Sequence, residues 1–243
     1  MANTTFGNLK INALRRSGNR YNANDATLLS IAGNIINDAL SIIGQQIKGH
    51  PYTLDLNNTV STVASQAYVA LADTDIIEIL QFKQATTNTK LKQVTYEEYV
   101  SMFPNTALVG GVPELCWAPT QSVNGSGQNI WTVYLGWTPS SIITMTYDYI
   151  KNMRFSADTG VDTAYSPLPS VYDRWIYAEF SPLFYEFLNP NDSRIGKAES
   201  KAAQVRAECL NDLKNAYTHQ IQMGRFGEDV PVVWKPVAST TQP

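Results

Sequence analysis

The sequence predicts an α+β chain: an α-helical bundle, made of two N-terminal helices and a C-terminal helical hairpin, with an inserted antiparallel β-sandwich or barrel-like domain. Three observations predict it. Apolar residues recur at helical spacing from Asp25 to Lys48. They then alternate at a period of two, with interruptions, from Tyr52 to Tyr149. Helical spacing returns after Pro167 and Pro169 and runs to Met223. The domain boundaries that follow are 1–50 for the N-terminal helices, 51–150 for the β-rich insertion, 151–224 for the helical hairpin that completes the bundle, and 225–243 for an extended tail.

Thr5 can cap a short helix to Ser17, with Phe6, Leu9 and Ala13 on one face and Gly18 ending it. Its end carries Arg15 and Arg16, with Arg20 nearby, and no acid precedes Asp25. Cations at a helix C-terminus are welcomed by its dipole. The same arginines are also candidates for contact with an acidic partner subunit or with DNA phosphates. The next helix shows two adjacent apolar stripes, Leu28-Ala32-Ile35-Ala39-Ile42 and Leu29-Ile36-Leu40-Ile43-Ile47. An apolar arc that wide is buried from more than one side, in a bundle core or between subunits. Ile36, Leu40 and Ile43 are therefore candidate interface residues.

Gly49-His50-Pro51 breaks the helical pattern. Tyr52, Leu54 and Leu56 alternate, as do Ala67, Val69 and Leu71; Ile77 and Ile79 oppose Ile76, Glu78, Leu80 and Phe82 in a more buried strand. Asp73 and Asp75 lie in a polar turn, and they lack the further ligands and the glycine of a calcium loop. A short helix at Tyr96–Phe103 ends before Pro104, and Leu115-Cys116-Trp117 resumes the strand signal, with Cys116 a buried thiol. Asn124–Gly127 is a hairpin turn rather than a phosphate loop, because no Lys-Ser/Thr ending and no helix follow it. Trp131, Val133, Leu135 and Trp137 share one face of the next strand, opposite Thr132, Tyr134 and Gly136. Ile143, Met145, Tyr147 and Tyr149 then share a face. Between Ser101 and Ile150 the only charges are Glu114 and Asp148, which reads as a β-meander.

In the hairpin, Ser170 with Asp173 approximates a capping box. Val171, Trp175, Ala178, Pro182, Phe184 and Phe187 face inward, with Pro182 expected to kink the arm. Asn189–Asp192 turns the chain, and Asn191 or Asp192 can cap the second arm. That arm turns Ile195, Ala198, Ala202, Val205, Cys209, Leu213 and Ala216 inward and a near-balanced charged face to solvent; Gly224 and Gly227 end it. Val232, Val233 and Trp234 in the tail can add to a sheet of their own chain or of a neighbour.

Composition narrows the function. Charged residues make up 16% of the 243 residues, against about 25% in a typical domain. Such depletion suits a surface covered by other subunits, and equally a plain β-rich module. The net charge of −3 argues against a dedicated nucleic-acid binder. Cys116 and Cys209 are too far apart in sequence to form a metal cluster by themselves, and His50 and His219 show no metal-ligand spacing. No signal peptide, and no apolar run near the roughly 20 residues of a membrane span, is visible. A hydrolase using Glu97, Glu98 or Glu114 would need two carboxylates converging across a cleft. The expectation is a non-enzymatic protein with no cofactor and no metal.

The order of parts resembles the head-to-tail adaptor (connector) proteins of tailed bacteriophages, from about Phe6 to about Met223. Its most specific piece runs from Tyr147 to Tyr185: a tyrosine-bearing strand, a loop with Asp158, the Leu168-Pro169 motif and an aromatic helix. Gln66–Asp73 followed by Ile76-Ile77-Glu78-Ile79 adds to it. The resemblance implies a ring, expected to be a dodecamer, that joins the portal protein to a downstream tail or nozzle protein. DNA would pass through its lumen with only transient, non-specific contact. It places the chain in the virion at the head–tail junction, made in the host cytoplasm and without a membrane role. Arg15, Arg16, Arg20, Ile36, Leu40, Ile43, Val232, Val233 and Trp234 are the candidate subunit or portal contacts. The alternative is a virion decoration or receptor- or carbohydrate-binding module that presents Trp131, Trp137 and Tyr134.

Overall fold

The computed structural model describes residues 3–18, 25–103, 116–123, 129–136, 138–155 and 162–223, with side chains as far as Ala216. It is a mixed α+β chain with two sheets. Two compact units divide it: Met1–Tyr52 with Met153–Pro243, and Thr53–Asn152.

In the helical unit, α1 (Phe6–Arg16) starts on Thr5, whose hydroxyl accepts from the Asn8 amide, and stops before Gly18, whose φ of +71° is a left-handed conformation that glycine adopts freely. α2 (Ala26–Gln46) starts on Asp25, whose carboxylate accepts from the Thr27 and Leu28 amides. α4 (Asp173–Leu188) and α5 (Ile195–Met223) form the helical hairpin. The aromatic face of α4 centres on Trp175, Ile176, Phe180 and Phe184, all fully buried. Phe6 stacks on Phe155 at 4.1 Å, and the Asn37 amide clamps the Phe155 backbone, accepting at 2.8 Å and donating at 3.3 Å. Gly44 lets Met153 come close: a Cβ there would lie 3.3 Å from the Met153 side chain.

Several expectations change here. Ile36, Leu40 and Ile43 are 0% exposed in the chain's own core, so the wide apolar arc of α2 is filled by this chain and not by a neighbour. α2 also meets the length and hydropathy of a membrane span, a match the sequence reading missed because Asn34, Asn37 and Asp38 interrupt the apolar run; its most apolar side chains lie in the core. Ser170 does not cap α4, because Ser170–Tyr172 is a single 3-10 turn with no side-chain cap. Val171 and Phe187 point to solvent, as does Ala216 on α5. Ile176, Tyr177 and Phe180, which the inward stripe left out, take the buried places on α4. Pro182 sits inside one uninterrupted helix. Gly224 and Gly227 lie outside the described residues.

The second unit holds β1 (Leu54–Ser61), β2 (Tyr68–Leu71), β3 (Ile76–Gln84), β4 (Lys92–Gln93), α3 (Tyr96–Met102), β5 (Cys116–Val123), β6 (Asn129–Leu135) and β7 (Thr144–Lys151). A three-stranded sheet runs β1-β7-β3 and a four-stranded sheet β2-β6-β5-β4. This is not a meander: β7 pairs between β1 and β3 in one sheet, and in the other β5 pairs with both of its sequence neighbours, β4 and β6. β4 and β5 pair in parallel, a departure from the antiparallel expectation. On β3 the expected alternation also fails. Register shifts after Ile76 and after Ile79 send Ile76, Ile79 and Phe82 inward, with Ile77 and Leu80 outward.

Asp148 sits on the central strand of the smaller sheet, 5% exposed. One oxygen accepts from the Asn57 amide at 2.7 Å, where β1 bulges and Asn57 takes φ of +60°; the other accepts from the Gln81 amide group at the irregularity of β3. One buried carboxylate thus fastens two irregular edge strands. Tyr147 and Tyr149 donate to Asp73 and Asp75, which gives these turn aspartates partners on the neighbouring strand. Burial first, and those carboxylates next, hold both phenols well above the ordinary tyrosine range. α3 opens with a full capping box between Thr95 and Glu98.

Candidate functional site

The helical unit carries a cleft of about 530 Å³ along α4 and α5, and its lining includes Arg16 from the end of α1. Five cations line it: Arg16, Arg174, Arg194, Lys197 and Lys201. Tyr177, Tyr185, Ala178, Ala198 and Val205 supply its apolar wall, and no carboxylate is among the lining residues. In a chain of net charge −3, that is a local reversal of sign.

Each arginine is held in place. The Arg16 guanidinium lies 4.5 Å over the Tyr177 ring and the Arg194 guanidinium 4.3 Å over the Tyr185 ring. The Tyr185 hydroxyl in turn donates to the Ser17 carbonyl at 2.8 Å, which ties α4 to the end of α1. Arg194 also pairs with Asp192, whose carboxyl is pulled down to about 2 by the Arg194 side chain and backbone. Arg174 reaches out to Asp212 at 2.8 Å and Glu208 at 3.3 Å. Lys197 and Lys201 are exposed and form no ion pair among the described residues.

Below the cleft, Glu179 is 3% exposed and accepts from Trp175 Nε1 at 3.0 Å and from two nitrogens of Arg206 at 2.9 Å each. That fork locks α4 to α5 and leaves the cleft wall rigid. Asp173 accepts from the Thr4 hydroxyl at 2.5 Å; burial nonetheless pushes its carboxyl above the ordinary value.

A second feature lies on the sheet unit. Tyr68, Tyr96 and Tyr134 form a partly exposed aromatic patch, with Tyr96 4.9 Å and Tyr68 6.0 Å from Tyr134, and exposed Val100 and Met102 lie on the same short helix as Tyr96.

The residues singled out from sequence fall differently. Arg16 lines the cleft, whereas Arg15 is exposed and outside its lining. Ile36, Leu40 and Ile43 are core. Arg20, Val232, Val233 and Trp234 lie outside the described residues, as do Glu114, Trp137 and Asp158. Trp131 packs on the sheet core with its Nε1 donating to the Ile76 carbonyl at 3.0 Å, so it is not presented to a ligand. Tyr134 does reach the aromatic patch. Glu98 is spent on its capping box, and its carboxyl is held below the ordinary range first by the Thr95 backbone bond. Cys116 and Cys209 are free, buried thiols in different units, and burial raises both. His50 is buried, its imidazole pushed down by burial, and the His219 side chain is outside the described ones. No group of three or more His, Cys, Asp or Glu suited to a metal ion occurs among the described residues.

The sequence reading missed the cleft. Arg194, Lys197 and Lys201 recur at spacings of three and four, a faint sign of one helical face, but Arg16 is far away in the chain. No protein-family model and no curated protein sequence matches this chain.

Proposed function

We propose that the chain is a structural virion subunit of a tailed bacteriophage, copies of which close into a ring, expected to be twelvefold, between portal and tail. The observation that carries this reading is the order of parts: a helical unit assembled from both ends of the chain, with a sheet-bearing unit, residues 53–152, inserted between α2 and α4. In this reading α1, α2, α4 and α5 form the bundle and the two sheets face each other as a sandwich or barrel. A heterologous contact closes into a ring when the rotation per subunit is right. DNA passes through the lumen. A conduit gains from a surface that does not grip phosphates, and the low, slightly negative charge suits that demand.

The contacts move from where the sequence put them. α2 is withdrawn, since its stripe is satisfied within the chain. Exposed Ile77 and Leu80 on the edge strand β3, with Val100 and Met102 on α3, replace it as contact candidates for self or portal.

The test is electron microscopy of the purified protein in negative stain, alone and mixed with its portal. Closed rings that stack on portal particles are expected. Single particles that ignore the portal would overturn the reading. The tyrosine patch favours a second reading, a decoration or receptor-binding module. Under that reading, replacing Tyr68 and Tyr96 by Ser abolishes attachment to the host or capsid and leaves rings unaffected.

A further inference from the structure

The cationic cleft has no place in that account, since a conduit wall needs no anion site. We propose that it is a docking groove for an acidic peptide segment, and that the segment is Glu228–Trp234 of a second copy of this chain; the proposal rests on the self-assembly argued above.

The walls define the chemistry. Two exposed lysines and Arg16, which lies over the Tyr177 ring, favour carboxylates, while Arg194 and Arg174 already hold acids of their own, Asp192 and the pair Asp212 and Glu208. The tyrosine faces, Ala198 and Val205 favour apolar side chains beside those carboxylates. A duplex phosphate backbone offers nothing for that wall, and a cleft of about 530 Å³ has room for only a few residues of peptide. α5 also opens with no acid in its first turn, although the dipole there favours one; Lys197 is placed against that field, and Lys201, four residues on, repels it as a like charge on the same face. An anion bridging them offsets that repulsion.

The occupant follows from charge and reach. Glu228-Asp229 is an acid pair followed directly by Val230, Pro231, Val232, Val233 and Trp234, the complement of a cationic and aromatic groove. Its own chain is a poor donor for the lysine end of the groove. α5 runs on to Met223, which lies about 33 Å along the helix from Lys201. The five residues from Met223 to Glu228 span at most about 18 Å even when fully extended. The remaining gap of about 15 Å takes up the whole reach of an extended glutamate and lysine side chain, with the main chain doubling back at full stretch. A second copy supplies the segment without that constraint, and is the donor assigned here.

The experiment is a titration by fluorescence anisotropy. The probe is a labelled peptide of residues 226–234, whose only charged side chains are Glu228 and Asp229. The acceptor is the full chain carrying Glu228→Lys and Asp229→Lys, so that its own segment does not compete. Saturable binding is expected, weakening with salt, and at least about tenfold weaker when Lys197→Glu and Lys201→Glu are added to the acceptor. Both lysines are exposed, and an unchanged melting temperature checks the fold of that variant. A peptide carrying Glu228→Gln and Asp229→Gln is expected to bind equally weakly, and that arm leaves the acceptor untouched. No saturable binding, binding indifferent to either change, or displacement of the peptide by an equimolar short DNA duplex would each overturn the proposal. Because the titration reads binding in trans, it separates from the ring: rings without peptide binding remove the groove's role, and peptide binding without rings removes the ring.

Discussion

In the helical unit the largest side chains are spent inside. Trp175, Phe180 and Phe184 are fully buried, and Tyr165, Val171 and Phe187 are its large apolar residues left outside among those described. The sheet unit buries Trp117 and Phe82 just as fully but leaves Leu56, Val63, Tyr68, Ile77, Leu80, Tyr96, Val100, Met102, Val123 and Ile142 exposed. Charge is divided the other way. The helical unit concentrates it in the Glu179–Arg206 fork and the cationic cleft, while the sheet unit keeps, among the described residues, one buried carboxylate, Asp148, between two irregular strands. One unit has settled its apolar surface and offers a charged groove; the other offers greasy edges. The proposed ring subunit would use both kinds of surface, and the contrast assigns them to different parts of the chain.

The largest expected effect is on the helical side. Trp175→Ala removes a fully buried ring and the hydrogen bond that orients Glu179 toward Arg206, and is expected to cost about 4 kcal/mol in denaturant unfolding. Trp131→Ala, whose ring is only half-buried in the sheet unit, is expected to cost about 2 kcal/mol. Equal losses would break the comparison. Next comes Asp148→Ala, which strands the Asn57 amide and the Gln81 side chain and is expected to cost about 2 kcal/mol. Amide exchange should rise on β1 and β3, while the amides of α4 keep their protection. Asp148→Asn, which keeps an acceptor for the Asn57 amide, should lose less.

A smaller effect depends on pH. Burial lowers the His50 pKa below the ordinary imidazole value of 6.5, so the unfolded chain takes up its proton first as pH falls. The His50 contribution is complete above pH 6.5 and is lost as pH falls through the lowered native value. Melting followed from pH 7.5 downward should show that loss, and His50→Gln should remove it. The smallest effect is a gain. A Cβ at Gly196 meets nothing within 4 Å, so Gly196→Ala at the start of α5 is expected to add about 0.5 kcal/mol.

Elements governed by local rules were legible in the sequence. Thr5 announces its helix because a cap is a short-range bond, the apolar stripes from Leu28 announce the next, and the two-residue rhythm of Val69, Leu71, Val133 and Leu135 marks strands with one face inward. Periodicity says that a residue is buried but not by what, which is why Ile36, Leu40 and Ile43 read as an interface and prove to be core. β3 misled for another reason: register shifts before Glu78 and before Gln81 reset which side chains face inward, and the second coincides with a bond from Gln81 to the distant Asp148, which no local rule announces. The cleft was the least legible of all. Its lysines looked like an ordinary solvated helix face until Arg16, Tyr177 and Tyr185 were brought beside them by the fold.

The most direct test of the central claim is the mass of the full chain in solution, by light scattering over a wide range of concentration. The account predicts a discrete closed oligomer near twelve subunits of 26.9 kDa that persists on dilution. A monomer at every concentration would contradict it.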